Sequence, residues 1–292
     1  MKPQNSKTRL PRYKKAKTAP AMRLTDRDKR IVQWVYQLRF LTRDQIKLLE
    51  FKDGSMTACQ RRLSLLFHNG YLSAIQKPVS SGYGSSKRAY CLSKKGKELI
   101  SFTHDGKEIT DIKWNEKNNK IEFYFLEHIL AINDVRIAFI NAALNKNYDI
   151  DWIPEWEIKA MKEKVPDPEN ANKTLPITPD SFFALIGEDK KACYFLEVDR
   201  ATESNRRWRD KIKGYVEYVK SGGYYEKFKS KALRVLTVTT TPERMTNLIN
   251  TTRTVENAYF FLFTTFSKVQ KNNPIFGDIW QSTEKEGFTG LL

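Results

Sequence analysis

The sequence predicts an α/β protein in two parts, a small helical domain closed by a hairpin and a larger domain built on a mixed central sheet. Two observations lead there. Excess positive charge is confined to the first third of the chain, and beyond it short apolar runs of strand length alternate with amphipathic helical stretches. A third observation concerns chemistry: Pro179-Asp180 leads one apolar run and Glu197-Val198-Asp199 closes the next.

At 292 residues the chain is long enough for two domains with separate cores. Its 40% hydrophobic and 12% aromatic content belongs to a globular protein. The longest apolar runs, such as residues 258–263, are too short to cross a bilayer. No charged-then-apolar signal segment opens the chain, so a cytoplasmic location is expected. The cysteines Cys59, Cys91 and Cys193 are odd in number, lack metal-ligand spacing and read as reduced, small apolar residues.

The net charge of +17 is unevenly spread. Residues 1–23 carry eight Lys/Arg and no acid; residues 24–103 carry fifteen against six; residues 104–292 carry 28 of each. A field this concentrated attracts a polyanion, and double-stranded DNA is the expected partner. An acidic membrane surface is the competing partner, but neither a lipidation motif nor a long amphipathic basic helix supports it.

Residues 1–23 read as a basic, disordered arm that orders on phosphate, with Lys14 and Lys15 as DNA contacts. Residues 24–103 read as a winged helix-turn-helix. Thr25 caps a first helix with Asp28 at its third position and a stripe of Ile31, Trp34, Val35 and Leu38. Thr42 and Gln45 mark a second cap. Gly54-Ser55 turns into a third helix over 56–68, stopped at Asn69-Gly70. That helix buries Met56, Cys59, Leu63, Leu66 and Phe67 and presents Thr57, Gln60, Arg61 and Ser64, residue types that contact bases and phosphates. A strand over 71–75, a Gly/Ser tip over 80–86 and a returning strand over 87–92 make the wing, with Tyr83, Lys87 and Arg88 placed on flanking DNA. Lys94–Ile100 closes the domain as a helix.

Residues 104–120 are polar and are expected to form a linker. The second domain, 121–292, opens with a helix over 122–144 that carries His128 and Asn133 on an otherwise apolar surface. His128 reads either as an ordinary hydrogen-bonded histidine or as a group near an active-site mouth. An edge strand interrupted by Pro154 is expected over 150–159, a loop over 160–178, then the Asp180 strand and the strand ending in Glu197 and Asp199. Side chains alternate across a strand, so those two acids should share a face. A helix from Ser204 to Gly222-Gly223, a strand over 232–239, a helix led by Pro242 and a strand over 258–265 complete the sheet, leaving a tail with weak signals.

This succession resembles the restriction-endonuclease-like core, whose motif is Pro-Asp followed by Asp/Glu-x-Lys on the next strand. The resemblance implies that Asp180, Glu197 and Asp199 are catalytic carboxylates ligating Mg²⁺, which polarises the scissile phosphate and activates water. Asp199 stands where the motif has lysine. Lys211 or Lys213 on the following helix is the replacement, and Lys211 is preferred because it shares a face with Tyr215 four residues on. Tyr215 is expected to hydrogen-bond the site; no histidine cluster accompanies it for a covalent tyrosine mechanism.

The chain also resembles, over most of residues 24–220, the replication-relaxation family of plasmids and integrative elements in Gram-positive bacteria. The carrying stretches are Leu24–Asp28 with Phe40–Thr42 and Gln45-Ile46; His128–Val135; Pro179-Asp180; Phe195–Arg200; and Lys211–Tyr215. The resemblance implies a bacterial cytoplasmic, DNA-binding protein of a mobile genetic element, acting in plasmid replication, relaxation or transfer. It further implies a Mg²⁺-dependent nickase or endonuclease, with a replication or transfer enzyme and a second copy of the chain as candidate partners. The alternative is a non-catalytic accessory factor or transcriptional regulator on a degenerate nuclease fold.

Overall fold

The computed structural model describes residues 10–52, 54–76, 87–101, 112–188, 191–230 and 232–292, and its chain divides into two compact units, Met1–Asn133 and Asp134–Leu292.

In the first unit, helix α1 (Asp26–Leu38) starts at a capping box, the Thr25 hydroxyl accepting from the Asp28 amide while Asp28 accepts from the Thr25 amide. Its apolar stripe, Ile31, Val32, Val35 and Leu38, is buried. Strand β1 (Phe40–Thr42) leads into α2 (Arg43–Glu50), capped reciprocally by Thr42 and Gln45. Ser55 caps α3 (Met56–His68), which buries Cys59, Leu63, Leu66 and Phe67. Strands β2 (Leu72–Gln76) and β3 (Arg88–Leu92) are antiparallel, and β3 lies between β1 and β2 in a three-stranded sheet. Helix α4 (Lys94–Ser101) packs close to β2: a Cβ on Gly96 would lie 2.2 Å from the Tyr71 carbonyl oxygen. Helix α5 (Phe123–Leu144) carries the boundary between the units.

Two parts of the first unit differ from expectation. Residues 10–23 form no helix or strand, yet they are fastened rather than loose. The Ala16 amide donates to His68 Nδ1 at 3.0 Å, Asn69 donates to the Pro20 carbonyl at 3.0 Å, and Arg62 donates to the Arg23 carbonyl at 3.1 Å. Backbone polar groups of an irregular segment need partners, and α3 with its C-cap Asn69 supplies one acceptor and two donors. The expected linker is also not a free tether where it is described. Arg39 donates to the Asn118 carbonyl, Asn119 to the Leu92 carbonyl and Lys97 to the Trp114 carbonyl. The compact unit therefore runs on to Asn133, whose side-chain amide donates to the carbonyls of Leu38 and Phe40 at 2.9 and 2.8 Å. Those carbonyls flank Arg39, held in the left-handed region at φ 61°. Asn133 thus secures a strained turn.

The second unit contains β4 (Asp149–Pro154), α6 (Glu155–Met161), β5 (Lys164–Asp167), β6 (Asn170–Pro176), β7 (Ser181–Ile186), β8 (Lys191–Val198), α7 (Asn205–Lys220), α8 (Gly223–Phe228), β9 (Arg234–Thr239), α9 (Pro242–Arg253), β10 (Phe261–Thr265), α10 (Phe266–Lys271) and β11 (Gln281–Ser282). Six strands form one mixed sheet in the order β11-β10-β9-β8-β7-β4. Strands β8, β9 and β10 are mutually parallel; β7, β4 and β11 join antiparallel. Alternation sets the faces. Phe195, Val235, Phe261 and Phe263 pack with Trp208, Ile212 and Tyr215 of α7. On the other face Phe183 stacks between Trp152 and Tyr194, at 4.8 and 5.1 Å, and meets Phe139 of α5.

The strand expected over 150–159 ends at Pro154, which serves as the N-terminal cap of α6 and has no amide to continue the ladder. The loop expected over 160–178 contains the β5–β6 hairpin, packed on α7. A Cβ on Gly214 would touch Leu175 and Ile177 at 3.4 Å, so glycine lets the hairpin come this close. The tail buries Ile275, Ile279 and Trp280 and adds β11 to the sheet.

Candidate functional site

Pairing of β7 with β8 sets Ser181 opposite Leu196, which brings Asp180 to the carboxyl end of β8. Asp180 is buried and its Oδ2 accepts from the Val198 amide at 2.7 Å. Glu197, only 2% exposed, faces α7. Lys211 Nζ donates to Glu197 Oε2 at 2.7 Å, and the Tyr215 hydroxyl donates to Oε1. Lys211 and Tyr215 are one turn apart, so a single helix face reaches both oxygens.

The electrostatics follow from this packing. Burial pushes the Glu197 carboxyl up to about 7; Lys211 opposes that rise and the charge of Asp180 adds to it. Burial alone would lower the Lys211 amine, but Glu197, Asp180 and Glu203 together outweigh it and the pKa is raised. The amine therefore stays charged. Tyr215 is held well above its ordinary value by burial and by Glu197, so it remains a neutral donor.

Asp199 is taken elsewhere. Strand β8 ends at Val198, and Asp199 accepts from Arg244 of α9 at 2.8 and 3.1 Å and from the Thr239 hydroxyl at 2.7 Å. Arg244 also donates to the Glu203 carbonyl at 2.7 Å, and the Glu203 carboxylate lies 3.4 Å from Lys211. Lys213 pairs with Glu169 of the hairpin turn at 2.5 Å. The structure thus brings together Asp180, Glu197, Lys211 and Tyr215, and ties Asp199 into a separate clamp. Sequence reasoning missed Arg244, Glu203 and Thr239. A clamp residue some forty positions from its partner leaves no local signal.

Among the described residues no group of three or more His, Cys, Asp or Glu side chains is placed to hold a metal ion. The expected three-carboxylate set does not fit, because both Asp199 oxygens are engaged. Asp180 and Glu197 lie close enough to interact electrostatically, but both Glu197 oxygens are likewise engaged, by Lys211 and Tyr215, so a cation held by these two carboxylates would have to displace one of those donors.

The first unit has a second candidate surface, a groove of about 760 Å³ lined by Thr57, Gln60, Arg61 and Ser64 of α3, Lys87 and Arg88 of the β3 side, and Leu10–Arg12 of the arm. Arg88 lies over the Phe67 ring at 5.3 Å and donates to the Arg12 carbonyl. Lys87 approaches Asp44 at 4.0 Å, and Lys14 and Lys15 are exposed. Tyr83 lies outside the described residues. His128 is half-buried on the part of α5 that belongs to the first unit.

The fold and these surfaces define an α/β protein with a buried carboxylate–lysine cluster at the end of a mixed sheet. The chain belongs to the replication-relaxation family, whose model matches residues 32–233, more than half its length. No curated protein matches it. Among solved structures it is similar to the restriction endonuclease FokI, at 11% identity and a TM-score of 0.31, over 86% of this chain and 45% of that one. It is also similar to FokI bound to DNA, at 14% identity and a TM-score of 0.26 with the same coverage. The chain therefore spans less than half the length of either.

Proposed function

We propose that this protein is a DNA-binding protein of a mobile genetic element, acting in plasmid replication, relaxation or transfer, and that its second unit nicks DNA with the help of Mg²⁺. The first unit is read as a winged helix-turn-helix: three helices, an antiparallel pair and a basic face on α3 are the parts such a module needs. Thr57, Gln60, Arg61 and Ser64 then face bases, while Lys14, Lys15, Lys87 and Arg88 meet phosphates. Tyr83 is assigned to the same flanking contact.

The observation that carries the nuclease reading is the convergence of Asp180, Glu197 and Lys211. Asp180 and Glu197 would hold the metal, which supplies charge neutralisation at the scissile phosphate and an activated water. Lys211, kept protonated by its carboxylate neighbours, stabilises the negative charge that develops on phosphate oxygens. Tyr215 holds the second Glu197 oxygen and fixes the carboxylate's orientation.

A second reading has one observation in its favour. Both Glu197 oxygens already have protein donors, as a purely structural buried acid would. In that case the protein is an accessory factor that holds DNA for a replication or transfer enzyme. A nicking assay on supercoiled plasmid separates the two. Wild type should yield open circles only with a divalent cation, and Glu197→Ala should yield none; identical behaviour of the two leaves the accessory role.

Among the described residues no helix is long and apolar enough to cross a membrane. A bacterial cytoplasmic setting and homodimer formation belong to the same proposal.

A further inference from the structure

We infer that the first two turns of α7 form a second contact surface for the nucleic-acid backbone, made by Arg206, Arg207 and Arg209. The inference rests on the DNA-processing reading above and places within the second unit the means of holding a strand at Lys211.

The basic residues of α7 differ in their partners. Each lysine of α7 has a carboxylate partner: Lys211 has Glu197 and Glu203, Lys213 has Glu169, and Lys220 has Glu217. The arginines do not. Arg206, Arg207 and Arg209 are exposed, and among the described residues none forms an ion pair. Asp210 is the acid on the same turns and leaves a clear positive excess. Residues 104–292 carry no net charge, so the cluster is a local feature and not part of a generally basic domain.

Arg207 precedes Lys211 by one turn and shares its face, while Arg206 and Arg209, three residues apart, lie together on the outer face of the helix, well round from Lys211. Lys211 itself reaches inward to Glu197, with 30% of its side chain exposed. A phosphodiester chain presenting one phosphate to Lys211 would meet Arg207 next, and Arg206 and Arg209 would hold the backbone where it continues over the outer face. Guanidinium groups suit that partner, since their planar fork binds phosphate oxygens two at a time and they keep their charge at any working pH. A short peptide carboxylate would satisfy one arginine; a polyphosphate backbone satisfies several at once.

The test uses the full chain and duplex DNA, with affinity measured across a salt series. Wild type is compared with the triple variant Arg206→Gln, Arg207→Gln, Arg209→Gln, with each single variant, and with a control pair, Lys271→Gln and Lys285→Gln, exposed elsewhere on the unit. All substitutions are on exposed side chains, and thermal unfolding checks that folding is retained. The triple variant should flatten the slope of log affinity against log salt by about 2–3, each single variant by about 0.9, and the control by nothing. A triple variant with the wild-type slope overturns the inference while leaving DNA binding by the first unit intact. If wild type fails to bind DNA at all, the proposed function falls and this inference with it.

Discussion

Arg244 grips Asp199 with two nitrogens, Nε at 2.8 Å and Nη2 at 3.1 Å from the two carboxylate oxygens. The pair gives Asp199 a structural task at the end of β8. Asp199 serves as the anchor for α9, and the same guanidinium holds the Glu203 carbonyl. Glu203 is in turn the second acid on Lys211. The clamp therefore runs from α9 through the β8–α7 connection to the cation of the cluster.

Removing the guanidinium should be costly. Asp199 is buried, and Arg244→Ala would leave its carboxylate with the Thr239 hydroxyl as its remaining side-chain donor. Breaking one partner of a buried pair typically costs about 3–5 kcal/mol. Urea unfolding should show a loss of that order for Arg244→Ala, and a clearly smaller one for Asp199→Asn combined with Arg244→Gln. Equal losses would mean that the pair is not the source of the effect.

The arm should loosen in acid. His68 is buried and its Nδ1 accepts the Ala16 amide proton, which requires the imidazole to be neutral. Burial lowers its pKa, and the Arg88 guanidinium lowers it further. The folded state therefore binds its proton less readily than the unfolded chain. The stability held by this contact is complete above the ordinary imidazole value of about 6.5 and is lost as pH falls through the lower folded value. Amide protection factors within residues 10–23, corrected for the intrinsic pH dependence of exchange, should fall as pH drops from 7.5 to 5.5, and limited proteolysis there should accelerate. His68→Ala should give low protection at both.

Gly96 is required for close packing of α4. Its position leaves no room for a side chain, with the Tyr71 carbonyl 2.2 Å and Leu92 Cδ1 2.8 Å from an added Cβ. Helix propensity favours alanine here, yet the backbone oxygen cannot yield as a flexible side chain could. Gly96→Ala should destabilise the first unit by about 1–3 kcal/mol in chemical unfolding. A stabilised variant would show that α4 can shift outward at no cost.

The first unit was legible because its caps are local. Thr25 with Asp28 and Thr42 with Gln45 announce helix starts within four residues, and Asn69-Gly70 announces a stop. The β5–β6 hairpin was hidden because Pro166, Pro168 and Pro176 weaken its strand signal, and its packing depends on Gly214, dozens of residues away. Strand alternation placed Glu197 and Asp199 on one face. It could not show that Asp199 is drawn to Arg244 and Thr239 while Glu197 is held by Lys211 and Tyr215. Lys211 and Tyr215 were legible from their four-residue spacing. Arg244 was not, since only the folded sheet brings α9 to that strand end.

The proposed nuclease function requires Asp180 and Glu197, without Asp199, to hold a divalent cation beside Lys211, with Lys211 or Tyr215 giving up its Glu197 oxygen. Equilibrium binding of Mn²⁺, followed by its paramagnetic resonance signal, tests this on wild type, Asp180→Asn, Glu197→Gln and Asp199→Asn. The account predicts one site on wild type, lost in the first two variants and retained in Asp199→Asn. Loss of the ion in Asp199→Asn with retention in Asp180→Asn or Glu197→Gln would contradict it.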